Sequence, residues 1–246
     1  LPSTRIAIFR SLNMQPSERR SSLPRQSYWR HCERFEARMA EPVSRQAWTR
    51  LVTLLNVYVR DGAKSFSNAG PLWNREQWTT ESCGLNISTD WSFPHRISRA
   101  MVKSMFEWSK DADDLYRSFC AAMVWVSERE SRMQSRIKPV AQREDINIGE
   151  IMVQFKETPT FDFYYSSQLA ELGPVVGSSL MNLLIRDEPR AAVIDAYVID
   201  WMWEYGQINE SWQLDLDAFT PEQFERYSSW CTLVLNQFRN SGHLPD

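Results

Sequence analysis

Residues 95–136 read HRISRAMVKSMFEWSKDADDLYRSFCAAMVWVSERESRMQSR, and this stretch decides the fold class. Ile97, Met101, Met105 and Trp108, then Leu115, Phe119, Ala122, Met123 and Val126, return at steps of three and four residues. That is the period of a helix with one apolar face. Ser109-Lys110-Asp111 interrupts the two runs, and Ser109 or Asp111 can cap a new helix through its side-chain oxygen.

The same pattern continues downstream. Ile148–Lys156 is predicted as a short helix between a loop at Pro139 and Pro159. Tyr164–Ile185 is apolar, and Gly173-Pro174 should split it into two pieces. Asp187 caps a further predicted helix that carries Pro189 in its first turn and ends at Gly206. Thr220-Pro221-Glu222-Gln223 supplies an N-cap, a proline at the first helical position and a capping-box partner. The stripe of that last helix is Phe224, Tyr227, Trp230, Cys231, Val234 and Phe238.

Upstream, helices are predicted over 27–40, with Tyr28, Cys32, Phe35 and Met39 on one face, and from Pro42 to about Arg60. Residues 61–94 hold no sustained period and are read as a long irregular connection pinned by Trp73, Trp78 and Trp91. So long a stretch is unusual without structure, so short helices or strands are expected inside it. Only eight glycines occur, which leaves few tight turns for a many-stranded sheet protein. The expectation is an all-α protein: an extended arm at 1–26, a single helical domain at 27–240 and a tail at 241–246. Leu214–Phe219 is the one candidate strand.

Composition sets the outer bounds. A hydrophobic share of 43 % and an aromatic share of 13 % provide a core and exclude wholesale disorder. No apolar run approaches the length of a membrane-spanning helix. The four cysteines, Cys32, Cys83, Cys120 and Cys231, lie far apart and are expected as buried free thiols of a reducing compartment. The localisation this suggests is intracellular or within a virion. Leu1 would fit removal of a transit peptide, hence a mitochondrial setting, or a polyprotein cleavage.

Chemistry-bearing motifs are scarce. The chain has no glycine-rich phosphate loop, no nucleophile elbow and no His-Glu-x-x-His pair. Of His31, His95 and His243, the first adjoins Cys32, but neighbours on a helix point apart and cannot act as nucleophile and base. Asp111, Asp113 and Asp114 resemble a magnesium-holding cluster, yet acidic residues also favour the first turn of a helix by complementing its dipole. Asp195, Asp200 and Glu204 lie near Trp201 and Trp203 on one predicted helix. Asp200 and Glu204 share a face, so a carboxylate pair can form, although a solvated acidic face is the plainer reading. No catalytic residue, metal or cofactor is therefore assigned.

Met123-Val124-Trp125, Ile137-Lys138-Pro139 and Ile151-Met152 with Phe155 together resemble the core of coat proteins from flexuous filamentous plant viruses of the potyvirus type. Where that family carries an RNA-contacting arginine before the Ile-Met pair, this chain has Gly149, and Phe161-Asp162-Phe163 stands closer than the family's Phe-Asp-Phe. The resemblance implies a helical subunit that coats single-stranded RNA.

Charge agrees with such a role. The first 50 residues hold ten Arg, no Lys and four Glu, although the whole chain is formally −3. Guanidinium is planar and always charged, which suits phosphates and carboxylates. The leading expectation is thus a non-enzymatic structural subunit of a larger assembly, a viral coat protein or nucleoprotein, with copies of itself, other subunits and single-stranded RNA as partners. An accessory subunit of an organellar complex is the alternative, and a helical metal-dependent lyase or hydrolase using the Asp111 cluster is the third. Arg19, Arg20, Arg25, Arg30, Arg34 and Arg38 are expected to contact an anionic partner, either phosphates or acidic side chains. If it is single-stranded nucleic acid, replacing three of them by Gln should flatten the log–log salt dependence of binding by about 0.7 for each phosphate no longer neutralised. An unchanged salt dependence would leave them as a solvated face.

Overall fold

The computed structural model describes residues 48–53, 70–127, 132–185, 192–194, 198–199 and 219–240. The protein is all-α, with no strand among the described residues. Contacts divide it into two compact units. One spans Lys64–Val193 together with Phe219–Pro221. The other holds, among the described residues, 48–53, 194, 198–199 and 222–240.

The first unit opens with the connection that lacked a period. Leu72 and Arg96 form an isolated antiparallel bridge, closed by Trp73 N–H on the His95 carbonyl at 2.8 Å and Ile97 N–H on the Pro71 carbonyl at 3.0 Å. Gly70 permits this closure, since a Cβ there would stand 1.9 Å from the Ile97 carbonyl oxygen. A short 3-10 turn at Arg75–Gln77 and helix α1, Thr80–Cys83, lie inside the loop. Thr79 and Ser82 cap α1 reciprocally. Trp78 is buried, Trp73 and Trp91 are half-buried, and Phe93 and Ile97 reach the core.

Helix α2, Arg99–Trp108, starts at a Ser98 cap. It breaks at Ser109-Lys110, and Asp111 caps helix α3, Ala112–Val126, by accepting the Asp114 N–H at 2.9 Å. Every residue of α3 from Ser118 to Val126 is buried. A helix apolar all round belongs inside a protein, and α2, α5 and α7 all pack on α3. Helix α4 is Met133–Ala141, α5 is Ile148–Glu157 and α6 is Phe161–Ser166. A 3-10 turn, Gln168–Leu172, leads into α7, Pro174–Leu184. Gly149 lets α5 approach α3, because a Cβ there would lie 2.6 Å from the Ala112 carbonyl oxygen.

Local expectations fail in places. Of the face expected for α2, Trp108 is exposed, and the helix buries Val102 and Phe106 instead. Pro139 sits inside α4 rather than in a loop. Its missing N–H falls near the end of the helix, two residues before Ala141, where few turns remain to be disrupted.

In the second unit, residues 48–53 are helical and α8 runs Pro221–Asn240, beginning directly after Thr220. Phe224, Tyr227 and Trp230 form its buried stripe. The predicted helix at 27–40, most of those at 42–60 and 187–206, and the candidate strand at 214–219 except Phe219 lie outside the described residues; within 187–206, residues 198–199 are helical and 192–194 are not.

Phe155 is fully buried and stacks on Phe163 with ring centres 5.7 Å apart. Phe155→Ala should cost about 3–5 kcal/mol through lost transfer energy plus a cavity. A denaturant midpoint at the wild-type value would show that α5 does not bear on global stability.

Candidate functional site

The feature with the most defined local geometry is the hairpin between the 168–172 turn and α7. Ser167 starts the turn by accepting the Leu169 N–H at 3.2 Å, and Leu169 and Leu172 are buried beneath it. Gly173 then adopts φ 83°, a left-handed value that favours glycine. Its N–H closes on the Ala170 carbonyl at 2.9 Å, while its own carbonyl accepts the Tyr164 hydroxyl at 2.8 Å. Tyr164 is fully buried, and burial pushes its phenol well above the ordinary value, so it stays protonated as a donor. Its ring rests on α7 where Gly177 has no side chain, and a Cβ there would stand 2.5 Å from the ring.

This lock leaves the start of α7 with a particular chemistry. Pro174 occupies the first helical position and no side chain caps the first turn. Uncapped N–H groups and the positive end of the helix dipole favour an anion. A guanidinium nitrogen of Arg136, on α4, comes within 3.2 Å of where a Gly173 Cβ would stand. Next to the turn, Arg143 pairs with Asp145 and Glu171, each at 2.8 Å. The paired guanidinium holds the Asp145 carboxyl below its usual range. The exposed Arg143–Glu171 pair thus links the turn to the loop after α4.

A pocket of about 290 Å³ lies at the far end of α7, lined by Phe106, Glu107, Lys156, Pro159 and Leu183–Ile185. Lys156 donates to the Ser109 carbonyl at 2.8 Å, and Glu107 stands 3.6 Å from Lys103. Both charged groups thus have protein partners.

The residues singled out in the sequence fare unevenly. Arg19, Arg20, Arg25, Arg30, Arg34 and Arg38 lie outside the described residues, as do His31, Asp195, Asp200 and Glu204. Asp111 is a helix cap and Asp114 accepts the Lys110 N–H at 3.1 Å. Among the described residues no group of three or more His, Cys, Asp or Glu is placed to hold a metal, and no helix is long and apolar enough to cross a membrane. Cys83, Cys120 and Cys231 are free thiols. Tyr164, Gly173, Gly177 and Arg136 carried no sequence signal beyond the helix break at Gly173-Pro174.

The geometry defines an all-α protein with a tight helical hairpin locked by Tyr164. Residues 64–243, more than half of the chain, match the family described as "Putative 8-oxoguanine DNA glycosylase OGG-like protein". The chain belongs to this family. No curated protein and no solved structure shows a match.

Family membership corrects the functional expectations. The protein is not of the potyvirus coat type, and the structural, capsid and nucleoprotein reading falls with that resemblance. The expectation of a protein without enzymatic activity also gives way, because the family is described as one of glycosylases. The misleading motif has a physical explanation. Met123, Val124, Trp125, Ile137, Met152 and Phe155 are all core residues of packed helices, and such spacing arises wherever helices share a core.

The buried thiols make a pH prediction. Burial, first of all, pushes the Cys120 thiol well above its ordinary value of 9.0, and it raises Cys83 as well. As pH rises through 9.0 the unfolded chain loses these protons first. Stability present below that pH should therefore decline above it. Cys120→Ala should flatten the decline in melts between about pH 8 and pH 10, whatever its cost at neutral pH. An equal slope in wild type and variant would remove Cys120 as its source.

Proposed function

We propose that the protein removes oxidised guanine from DNA, with the hairpin at Gly173 holding a backbone phosphate. The family match over residues 64–243 carries this reading. The uncapped first turn of α7 and the nearby Arg136 support it, since most protein–DNA hydrogen bonds go to phosphates and fix the register of the protein on the duplex. A phosphate would meet backbone N–H groups from α7 and a guanidinium from α4. Tyr164 contributes as a positioning residue, through its bond to the Gly173 carbonyl.

An enzyme that acts on a base must take it out of the stack, so the phosphate grip has a second use: it supports the distorted duplex while the base is extruded. Cleavage of the bond between base and sugar then develops positive charge on the sugar ring, which a carboxylate can steady, as in other glycosidic reactions. Asp200 and Glu204, which fall in the matched region and share a face of a predicted helix, are the candidates for that carboxylate.

A duplex with a single 8-oxoguanine opposite cytosine tests the reading directly. The full chain should generate an alkali-sensitive abasic site at the lesion and none in the undamaged duplex. Strands that stay intact at high enzyme would overturn the proposed activity. Arg136→Gln should weaken duplex binding and lower the log–log salt slope by about 0.9. Asp200→Asn or Glu204→Gln should abolish excision while leaving duplex affinity within about twofold, as expected for a group that acts in the transition state.

A further inference from the structure

Arg117 is the one arginine of the 70–127 region whose interactions are with aromatic rings alone. It lies on α3, and its guanidinium carbon sits 5.9 Å from the ring centre of Trp91 and 5.7 Å from that of Phe93. Those rings are braced in turn. Trp73 meets Phe93 edge-on at 5.1 Å, and Tyr116 meets Trp91 edge-on at 6.0 Å. The Tyr116 hydroxyl is itself fixed, accepting the Asn86 N–H at 2.8 Å. Four aromatic side chains from the 70–98 connection and α3 thus form a rigid seat for one cation.

Among the described residues the seat lacks an acceptor. Arg117 makes no hydrogen bond or ion pair with any described residue, and its Nε is buried without a partner. Asp113 and Asp114 precede it by one turn of α3, yet neither pairs with it, and Asp114 is taken by the Lys110 N–H. Neighbouring arginines behave differently. Arg75 donates to the Thr89 carbonyl at 3.1 Å and Arg96 to the Gly70 carbonyl at 2.9 Å. A partly buried guanidinium with unmet donors is costly. Cation–π attraction to the two rings offsets some of that cost and positions the guanidinium. A fork so held is ready for a two-oxygen anion from outside the chain.

We propose that Arg117, seated on Trp91 and Phe93, is an anion subsite that takes a backbone phosphate of DNA. This rests on the DNA-binding reading of the preceding subsection and adds a contact separate from the Gly173 hairpin. Trp91 and Trp73 remain partly exposed beside the cation, which leaves some aromatic surface for the sugar or an unstacked base next to that phosphate.

The test is equilibrium binding of the full chain to a lesion-containing duplex across a salt series. Arg117→Gln should lose roughly tenfold or more in affinity at low salt and lower the salt slope by about 0.9. Arg117→Lys keeps the charge but not the planar fork, so it should retain the slope while losing part of the affinity. If Arg117→Gln fails to fold by circular dichroism, protection of Arg117 from phenylglyoxal by DNA in the unmutated protein takes its place. Wild-type binding with unchanged affinity and slope in Arg117→Gln, or with no protection, would overturn the Arg117 subsite and leave the DNA reading standing. Absence of any DNA binding by the wild type would overturn both. Loss of Arg117 that weakens a protein complex but not DNA binding would assign the seat to an acidic protein partner and likewise overturn the proposal.

Discussion

The burial of α3 is the constraint on which the described part of the first unit depends. Nine consecutive residues, Ser118 to Val126, are shielded from water. A helix cannot be dry on every side unless other elements surround it, so α2, α5 and α7 are recruited to its faces. Small residues make the approaches close. Ala121 and Ala122 thin the helix itself, and Gly149 lets α5 sit against the Ala112 carbonyl. The polar exception, Ser118, is satisfied by Ser109 at 2.8 Å and by the Asp114 carbonyl at 2.9 Å. That pairing also fixes the corner between α2 and α3.

A second interaction converts this packing into a shaped surface. Tyr164 leans on α7 at Gly177 and reaches back to bond the Gly173 carbonyl. One side chain therefore sets both the angle of the hairpin and the conformation of its turn. Because the hydroxyl is buried, breaking this bond would leave a donor unsatisfied in the interior, a cost of about 1–3 kcal/mol, while the Gly173 carbonyl would keep the Gly177 N–H at 3.2 Å. The positive φ at Gly173, the proline at the start of α7 and the absence of a side-chain cap follow from the same few residues. Stability and the presentation of the helix terminus are thus served by one contact, and the approach of Arg136 from α4 completes the local electropositive character.

Much of the fold is legible in the chain. The Asp111 cap, the split at Gly173-Pro174 and the start of α8 after Thr220 each follow from a local signal. Pro139 misleads because a proline signals a break without saying how many turns remain beyond it. The site is scarcely legible. Tyr164, Gly177 and Arg136 look like ordinary core and surface residues until three separate helices bring them together. The viral resemblance misleads for a related reason. Met123, Val124, Trp125, Met152 and Phe155 are spaced by the needs of a helical core, and many unrelated helical proteins share those needs.

The sequence by itself determined the class of secondary structure, the helix caps and the scarcity of glycine turns, because these depend on residues within one or two turns of each other. Only the tertiary structure decided that Gly173 and Gly177 serve one tyrosine, and that Arg117 rests on rings 24 and 26 residues away in sequence. Those relations are set by packing between distant segments. The physical reason is that periodicity reports which face of a helix is apolar, and carries no information about which other face will meet it.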